Sequence, residues 1–376
     1  MIFSLLKLII RITTFLFSIG LLISYFSSYV SPTSIWYIQL FGLAYPLLLV
    51  GTIVLTILNF LIRRKFIFSL FILLAGFFTH VKYFGISTNK ASSKTIGSID
   101  EQLTLMSFNV KLFDVYQLVE PALENSKLAF KNFLKENQVD VISFQEYAED
   151  PTNNLIISPE AIKEHGGYDY HVSNLTLEAN RLKVGQAIFS KYPIIASGTI
   201  DNSEANFPSL FADIVKDKDT IRVYNFHLQS IRFQKDEYSL FDLTIESKKD
   251  YTQRITGLLK KLKKAYPSRT HQVERIIAHA LTSPYTTILM GDLNDPPTSY
   301  AYAQIEAHFS DAFQVGSFNA TRTYAGKVPA GRIDYIFYDN QLVPLSFKTY
   351  KEKVLSDHYP IQASFALLNK EQSKIK

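Results

Sequence analysis

Residues 286–297 form an apolar, β-prone run that ends in Gly291-Asp292-Leu293-Asn294-Asp295-Pro296-Pro297. Two positions apart on a strand, Asp292 and Asn294 share a face, so the carboxylate can take a proton while the amide donates hydrogen bonds to the same substrate. Gly291 allows a close backbone approach, and the two prolines stop the ladder, which puts polar chemistry on a rigid edge. Read together with Ser356-Asp357-His358 near the C-terminus, the arrangement suits hydrolysis.

The elements that must position these residues follow from apolar periodicity. Strands are predicted over 103–110, 139–144, 185–189, 211–215, 221–226, 286–290, 333–338 and 361–365, and a helix over 120–136. The strand at 139–144 ends at Gln145 and Glu146, and the one at 221–226 ends at His227. Residues 235–282 alternate charged and apolar positions at helical spacing, which predicts one or two helices with a break near Pro267. The opening order of strand, helix and strand starts an α/β sandwich.

Six segments then stand at strand ends or in adjoining loops: Ser107-Phe108-Asn109-Val110, Ser143-Phe144-Gln145-Glu146, Tyr224-Asn225-Phe226-His227-Leu228, Gly291-Asp292-Leu293-Asn294, Arg332-Ile333-Asp334-Tyr335 and Ser356-Asp357-His358. In this order they resemble the endonuclease/exonuclease/phosphatase superfamily. Its members include DNase I type nucleases, abasic-site endonucleases, neutral sphingomyelinases and inositol polyphosphate 5-phosphatases, all of which hydrolyse phosphate esters. The resemblance runs from residue 103 to about 367 and implies a four-layered α/β sandwich with two central, mostly antiparallel sheets (DNase I-like).

It also implies roles. Glu146 would be the main metal ligand, Asn109 would stand beside it, and Asp357 would supply a weaker second contact; a hard-oxygen site favours Mg2+, with Mn2+ or Ca2+ as alternatives. His358 would be the general base with Asp334 fixing its tautomer, and Asp292 would orient or deprotonate the attacking water. His227 would protonate the leaving oxygen or stabilise the transition state, and Asn294 would hold a phosphoryl oxygen. Where several superfamily members carry an aspartate two residues after the asparagine, this chain has Lys111, which leaves fewer carboxylates for metal. Arg322 and Arg332 read equally as cations for an anionic substrate or as ordinary surface charges.

Residues 1–84 have a different character, almost wholly apolar, and are read as a membrane segment with about three transmembrane helices at 4–29, 35–62 and 66–84. A linker at 85–100, a catalytic domain at 101–368 and a polar tail at 369–376 complete the chain. Arg63-Arg64-Lys65 makes the loop between the second and third spans cytoplasmic, and the uncharged Ser31-Pro32-Thr33-Ser34 loop is then external. Three spans put the catalytic domain outside, in the periplasm if the cell is a bacterium with two membranes; Lys82 and Lys90 argue the other way.

The chain has no cysteine, which excludes a disulfide framework, a thiolate zinc site and a thiol nucleophile, and its net charge of +5 does not by itself indicate nucleic acid. The expected partners are membrane lipids through the N-terminal helices and a phosphate-ester substrate, either nucleic acid or a lipid headgroup. A nuclease needs a long basic groove, whereas a lipid enzyme turns its site toward the bilayer. A reading from another class is a catalytically silent, membrane-tethered binding module with the same fold. A channel or transporter finds no support, because no acidic residue lies within the expected spans.

Overall fold

The computed structural model describes residues 2–62, 67–86, 102–114, 121–152, 155–179, 181–201, 207–231, 248–315, 321–326, 331–351 and 355–367. The Arg63-Arg64-Lys65 loop, the linker from residue 87 onward and the 369–376 tail lie outside the described residues.

The described residues of the N-terminal segment fold as six helices: α1 (Ile2–Phe26), α2 (Pro32–Ile35), α3 (Ile38–Leu43), α4 (Tyr45–Leu61), α5 (Ile67–Ala75) and α6 (Phe77–Phe84). Only α1 among the described helices is by itself long and apolar enough to cross a membrane. The pair α5 and α6 passes the same test jointly but bends by 54° at Gly76, and α4 has 17 residues. The apolar run at 35–62 is therefore not one helix. Pro46 sits in the first turn of α4, where its missing N–H costs nothing, and this restarts the chain after α3. Inside the bundle, Asn59 donates to Thr14 Oγ1 at 2.7 Å and Thr56 to Ser69 at 2.8 Å, hydrogen bonds that tie apolar helices together. Leu5, Leu8, Ile12 and Leu16 of α1 and Leu47, Val50, Val54 and Leu61 of α4 stay exposed.

The described residues of the rest of the chain contain α7 (Ala122–Glu136), α8 (Pro159–Gly166), α9 (Lys248–Leu281), α10 (Tyr300–Glu306) and twelve strands. These are β1 (Gln102–Asn109), β2 (Val141–Glu149), β3 (Tyr170–Ala179), β4 (Leu182–Ser190), β5 (Ile194–Ile200), β6 (Ser209–Lys216), β7 (Asp219–His227), β8 (Thr286–Asp292), β9 (Ser310–Asp311), β10 (Asp334–Tyr338), β11 (Leu342–Thr349) and β12 (Ile361–Leu367). They form two six-stranded sheets, ordered β11-β12-β1-β2-β4-β3 and β5-β6-β7-β8-β10-β9. Among the described strands, only the β1–β2 and β7–β8 pairs are parallel, and each is joined through a helix, α7 or α9, as a parallel connection requires.

Three apolar clusters make the layers. Leu103, Leu105, Val141, Val223, Ile288, Met290 and Ile336 fill the gap between the sheets. Phe108, Phe144, Phe130 and Phe133 join the first sheet to α7, while Tyr224, Leu289, Phe337, Val273 and Ile276 join the second sheet to α9. The result is the expected four-layered sandwich.

One helical expectation needs correction. α9 is continuous through Pro267. Leu262, Ala265 and Tyr266 before the proline and Val273, Ile276 and Ala280 after it are all buried. Packing on both sides outweighs the roughly 3 kcal/mol that a helix-interior proline costs.

Candidate active site

Strand alternation explains where the polar residues stand. On β1, Leu103 and Leu105 point into the gap between the sheets, and the same parity carries Ser107 and Asn109. On β7, Ile221 and Val223 are followed in parity by Asn225 and His227; on β8, Ile288 and Met290 by Asp292; on β10, Ile336 shares its face with Asp334. The inter-sheet layer is thus apolar along most of its length and ends in a polar pocket. Between the two zones lies a buried bridge, in which Gln145 donates to Asn225 Oδ1 at 2.7 Å and to Ser107 at 3.1 Å, and Asn225 donates to the Phe144 and Ala187 carbonyls.

Glu146 breaks the alternation. The β2–β4 register shifts between Phe144 and Tyr147, and Glu146 has φ +48. This bulge leaves Phe144 and Tyr147 in the outer aromatic cluster and brings the Glu146 carboxylate to 3.6 Å from His227 Nε2. Gly291, at φ +151, is needed where β8 runs beside β7, since a Cβ there would lie 1.9 Å from the Phe226 carbonyl oxygen.

In the pocket, Asp292 is the centre. It pairs in register with His227 on β7 and with Asp334 on β10. Its carboxylate accepts from Asn109 Nδ2 at 3.1 Å and from the Asn294 backbone at 2.7 Å, and it lies 3.7 Å from both His227 Nε2 and His358 Nε2. His358 Nδ1 faces both oxygens of Asp334 at 3.0 and 3.1 Å. Burial, with Asp334 adding to it, raises the Asp292 carboxyl to about 6. Burial alone would lower His358, but Asp334 and Asp292 outweigh it and hold the imidazole up to about 10.

Left-handed backbone collects around this pocket. Glu146, Asn294 at φ +55 and the run Lys111, Leu112, Phe113 and Asp114 at φ +45 to +55 all adopt it. For non-glycine residues such conformations cost about 1–3 kcal/mol each and persist where surrounding contacts enforce them. Here Asn109 Oδ1 accepts from the Lys111 backbone, Lys111 Nζ pairs with Asp114 at 3.3 Å and with Asp357 at 3.2 Å, and Phe113 packs edge-on against Phe130.

The family model for the Endonuclease/Exonuclease/phosphatase family matches residues 106–358. The chain belongs to that family. Family members hydrolyse phosphate esters with divalent metal ions, and this chain is a metal-dependent phosphoric ester hydrolase. A second model, for a domain of unknown function (DUF8431), matches residues 7–83. No curated protein sequence matches the chain. Among solved structures, the chain is similar to an endonuclease/exonuclease/phosphatase from Beutenbergia cavernae at 18% identity, covering 71% of this chain and 72% of that one with a TM-score of 0.50. It is also similar to a family protein from Leptotrichia buccalis at 17% identity, covering 69% and 98% with a TM-score of 0.49. A Danio rerio TDP2 structure with a single-strand DNA product shows 16% identity, 70% and 98% coverage and a TM-score of 0.49. At these identities the likeness concerns the fold alone.

Within this family member, the sandwich brings Asn109, Glu146, His227, Asp292, Asp334 and His358 to one pocket. Asn294 does not share a strand face with Asp292 as expected, because β8 ends at Asp292 and at φ +55 Asn294 turns its amide to the Leu228 carbonyl at 3.1 Å, with its backbone N–H on Asp292. Asp357 is at its edge, paired with Lys111. Oxygen donors from Glu146 and Asn109 suit a hard divalent cation, and Asp292, Asp334 and His358 also place ligand atoms within 4.8 Å of one another. Arg332 is not a substrate cation: it is buried, paired with Asp311 and stacked 3.9 Å from the Phe313 ring centroid.

Sequence reasoning passed over several supports. Ser356 donates to the Asn109 carbonyl and accepts from the His358 backbone, which joins two of the recognised segments. Thr323 Oγ1 accepts from the Ile333 and Asp334 backbones, and Phe207 stacks on His227. Arg269 on α9 binds Asp295 at 2.7 Å and the Gln229 carbonyl at 2.8 Å, tying together the loops that follow Asn294 and His227. Asp295 directly after the Gly-Asp-x-Asn stretch was the available signal; the others rest on backbone partners with no mark in sequence.

Proposed function

We propose that this chain is a membrane-anchored phosphoesterase that hydrolyses its ester by in-line attack of water, with the catalytic domain on the external side. The observation that carries the catalytic part is the convergence of Asp292, Asp334 and His358 with His227 and the two asparagines at one end of the inter-sheet gap. Asp292, an ionised carboxylate held by two donors, accepts the water proton. His358, expected from the sequence as the general base, is instead held protonated by Asp334 and Asp292, and its imidazolium donates to a phosphoryl oxygen as negative charge grows there. His227 stands on the other side of Asp292 and delivers a proton to the leaving oxygen, while Asn294, one of whose amide hydrogens is given to the Leu228 carbonyl, offers the other to a second phosphoryl oxygen.

Glu146 and Asn109 are the residues that would hold the divalent cation, with Asp357 shared between it and Lys111. Bound magnesium, manganese or calcium supplies Lewis-acid stabilisation of the phosphoryl charge. Lys111 places a further cation at the rim of the same site.

Anchoring rests on the exposed apolar faces of α1 and α4, which a water-soluble fold rarely keeps. The proposed spans are α1, α4 and the bent α5–α6 pair. In that arrangement the end of α1, the start of α4 and the end of α6 face the catalytic domain, and the start of α1 with Lys7 and Arg11 faces away from it. The Lys82 charge, contrary to the positive-inside expectation, is taken up by Glu306 of the domain at 2.5 Å. Reporter fusions near residue 64 and after Leu367 test the topology, and opposite compartments are expected. Chelation and re-addition of magnesium during hydrolysis of bis-p-nitrophenyl phosphate by the detergent-solubilised chain tests the chemistry.

A further inference from the structure

The helical segment is docked on the catalytic domain through built contacts. Ser27 and Ser28, just past α1, donate to the Thr298 carbonyl at 2.6 and 3.1 Å, and Thr298 Oγ1 donates to the Gly42 carbonyl at 2.8 Å. Gln39 Oε1 accepts from the Tyr300 backbone, and Ser27, Gln39 and Thr298 are all buried. Gly42 is required by this approach, since a Cβ there would meet Ser27 Oγ at 2.5 Å and the Thr298 carbonyl at 3.1 Å. Lys82 pairs with Glu306, and Gly85 lies against Phe313. A flexible tether needs none of these contacts.

The docked surface begins at the catalytic end of the second sheet. Thr298 is four residues beyond Asn294, and Arg332, which donates to the Lys82 carbonyl at 3.4 Å, is two residues before Asp334. At about 3.3 Å per extended residue, the pocket lies within about 15 Å of chain from the helix ends. Those ends carry Tyr25, Tyr29, Trp36, Tyr37, Tyr45 and Tyr83, with Tyr29 and Tyr37 exposed, which is the aromatic composition of a headgroup boundary. Packed beside α2 is α9, whose Lys260, Lys263 and Lys264 are exposed while Leu262, Ala265 and Tyr266 are buried. Where α9 runs along the bilayer surface, such a basic face meets anionic headgroups.

Resting on the phosphoesterase reading above, we infer that the docked helices hold the pocket at the bilayer surface and that the substrate is the phosphate ester of a membrane lipid. Fixing the orientation of the pocket raises its encounter with lipids of the same bilayer and does nothing for a soluble polymer. In the reaction, water supplies the oxygen that bonds to phosphorus, the bond from phosphorus to the leaving alcohol oxygen breaks, and that alcohol receives one of the water protons.

The test uses the full chain in nanodiscs of phosphatidylglycerol and phosphatidylethanolamine with magnesium, following lipid products and, separately, turnover of bis-p-nitrophenyl phosphate. The wild type is expected to turn over both. Lys82→Glu should lower lipid turnover at least about tenfold while changing the soluble ester less than about twofold, and adding Glu306→Lys should restore it. Lys260→Glu/Lys263→Glu/Lys264→Glu, which leaves the dock intact, should slow lipid turnover in discs made with phosphatidylglycerol and not in those of phosphatidylethanolamine and phosphatidylcholine. Hydrolysis of the soluble ester with the lipids left intact overturns the lipid inference and leaves the phosphoesterase standing, whereas turnover of neither overturns both.

Discussion

Asp292 and Asp334 are register partners on the antiparallel strands β8 and β10, and the His358 ring lies between their carboxylates, with Nδ1 at 3.0 Å from Asp334 and Nε2 at 3.7 Å from Asp292. Two like charges directly opposite would destabilise a strand pair, and one imidazolium offsets both. The sheet register itself therefore assembles an acid and a base.

Asp334→Asn removes the partner that orients His358 and helps to keep it charged. The expected result is a kcat loss of about 10²–10⁴ with KM little changed, because ground-state contacts remain. The His358 ring titration, followed by NMR on the labelled protein, should move down from about 10. An unchanged titration would refute the pairing.

The pH profile follows from the same groups. Asp292 is raised to about 6, so below that value it is protonated and cannot accept the water proton. The rate should fall as pH drops through about 6, or lower once a bound cation favours the carboxylate. His358 stays protonated up to about 10, so the alkaline decline should come only near that value. A profile of kcat/KM against pH checks both limbs, and an acid limb well above 6 would exclude Asp292 as the base.

Glu146 sets stability against function. Its carboxylate is proposed to bind metal, but its φ of +48 suits glycine. Glu146→Gly should stabilise the fold by about 0.5–1 kcal/mol, since release of about 1–2 kcal/mol of left-handed strain exceeds the unfolded-state entropy, about 0.5–1 kcal/mol, that glycine adds, while abolishing metal-dependent turnover. Thermal unfolding in detergent together with manganese binding reads both effects. Lower stability in the variant would show that the bulge is not strained.

Asn225 is the keystone of the polar bridge behind the pocket. Asn225→Leu leaves Gln145 Nε2 and the Phe144 and Ala187 carbonyls short of a partner in a buried place. A loss of about 1–3 kcal/mol of stability is expected for each group left unsatisfied, measured by denaturant unfolding, with activity falling as the two sheets lose their spacing.

Much of the sandwich was readable because its central strands are near-continuous apolar runs, buried on both faces. The parity that buries Leu105, Val223, Met290 and Ile336 also fixes where Asn109, His227, Asp292 and Asp334 point. Edge strands were harder: β5 is largely exposed, and β11 carries Pro344 at a register shift, so neither shows a clear apolar face. Glu146 was recognised by its motif, but the bulge that turns it inward depends on pairing with β4. Arg332 read equally as a substrate cation or a surface charge, and only the fold reveals Asp311 and three aromatic rings around it. The dock between helices and domain uses the carbonyls of Gly42, Lys82 and Thr298, which every residue possesses and no pattern marks.

The most direct test of the central claim is magnesium-dependent turnover of bis-p-nitrophenyl phosphate and p-nitrophenyl phosphate by the full chain, compared with folded Asp292→Ala and His358→Ala. The account predicts turnover that chelation abolishes, magnesium restores and each substitution lowers by at least about a hundredfold. Equal turnover in the wild type and both variants, or none in a folded wild type with metal bound, would contradict it.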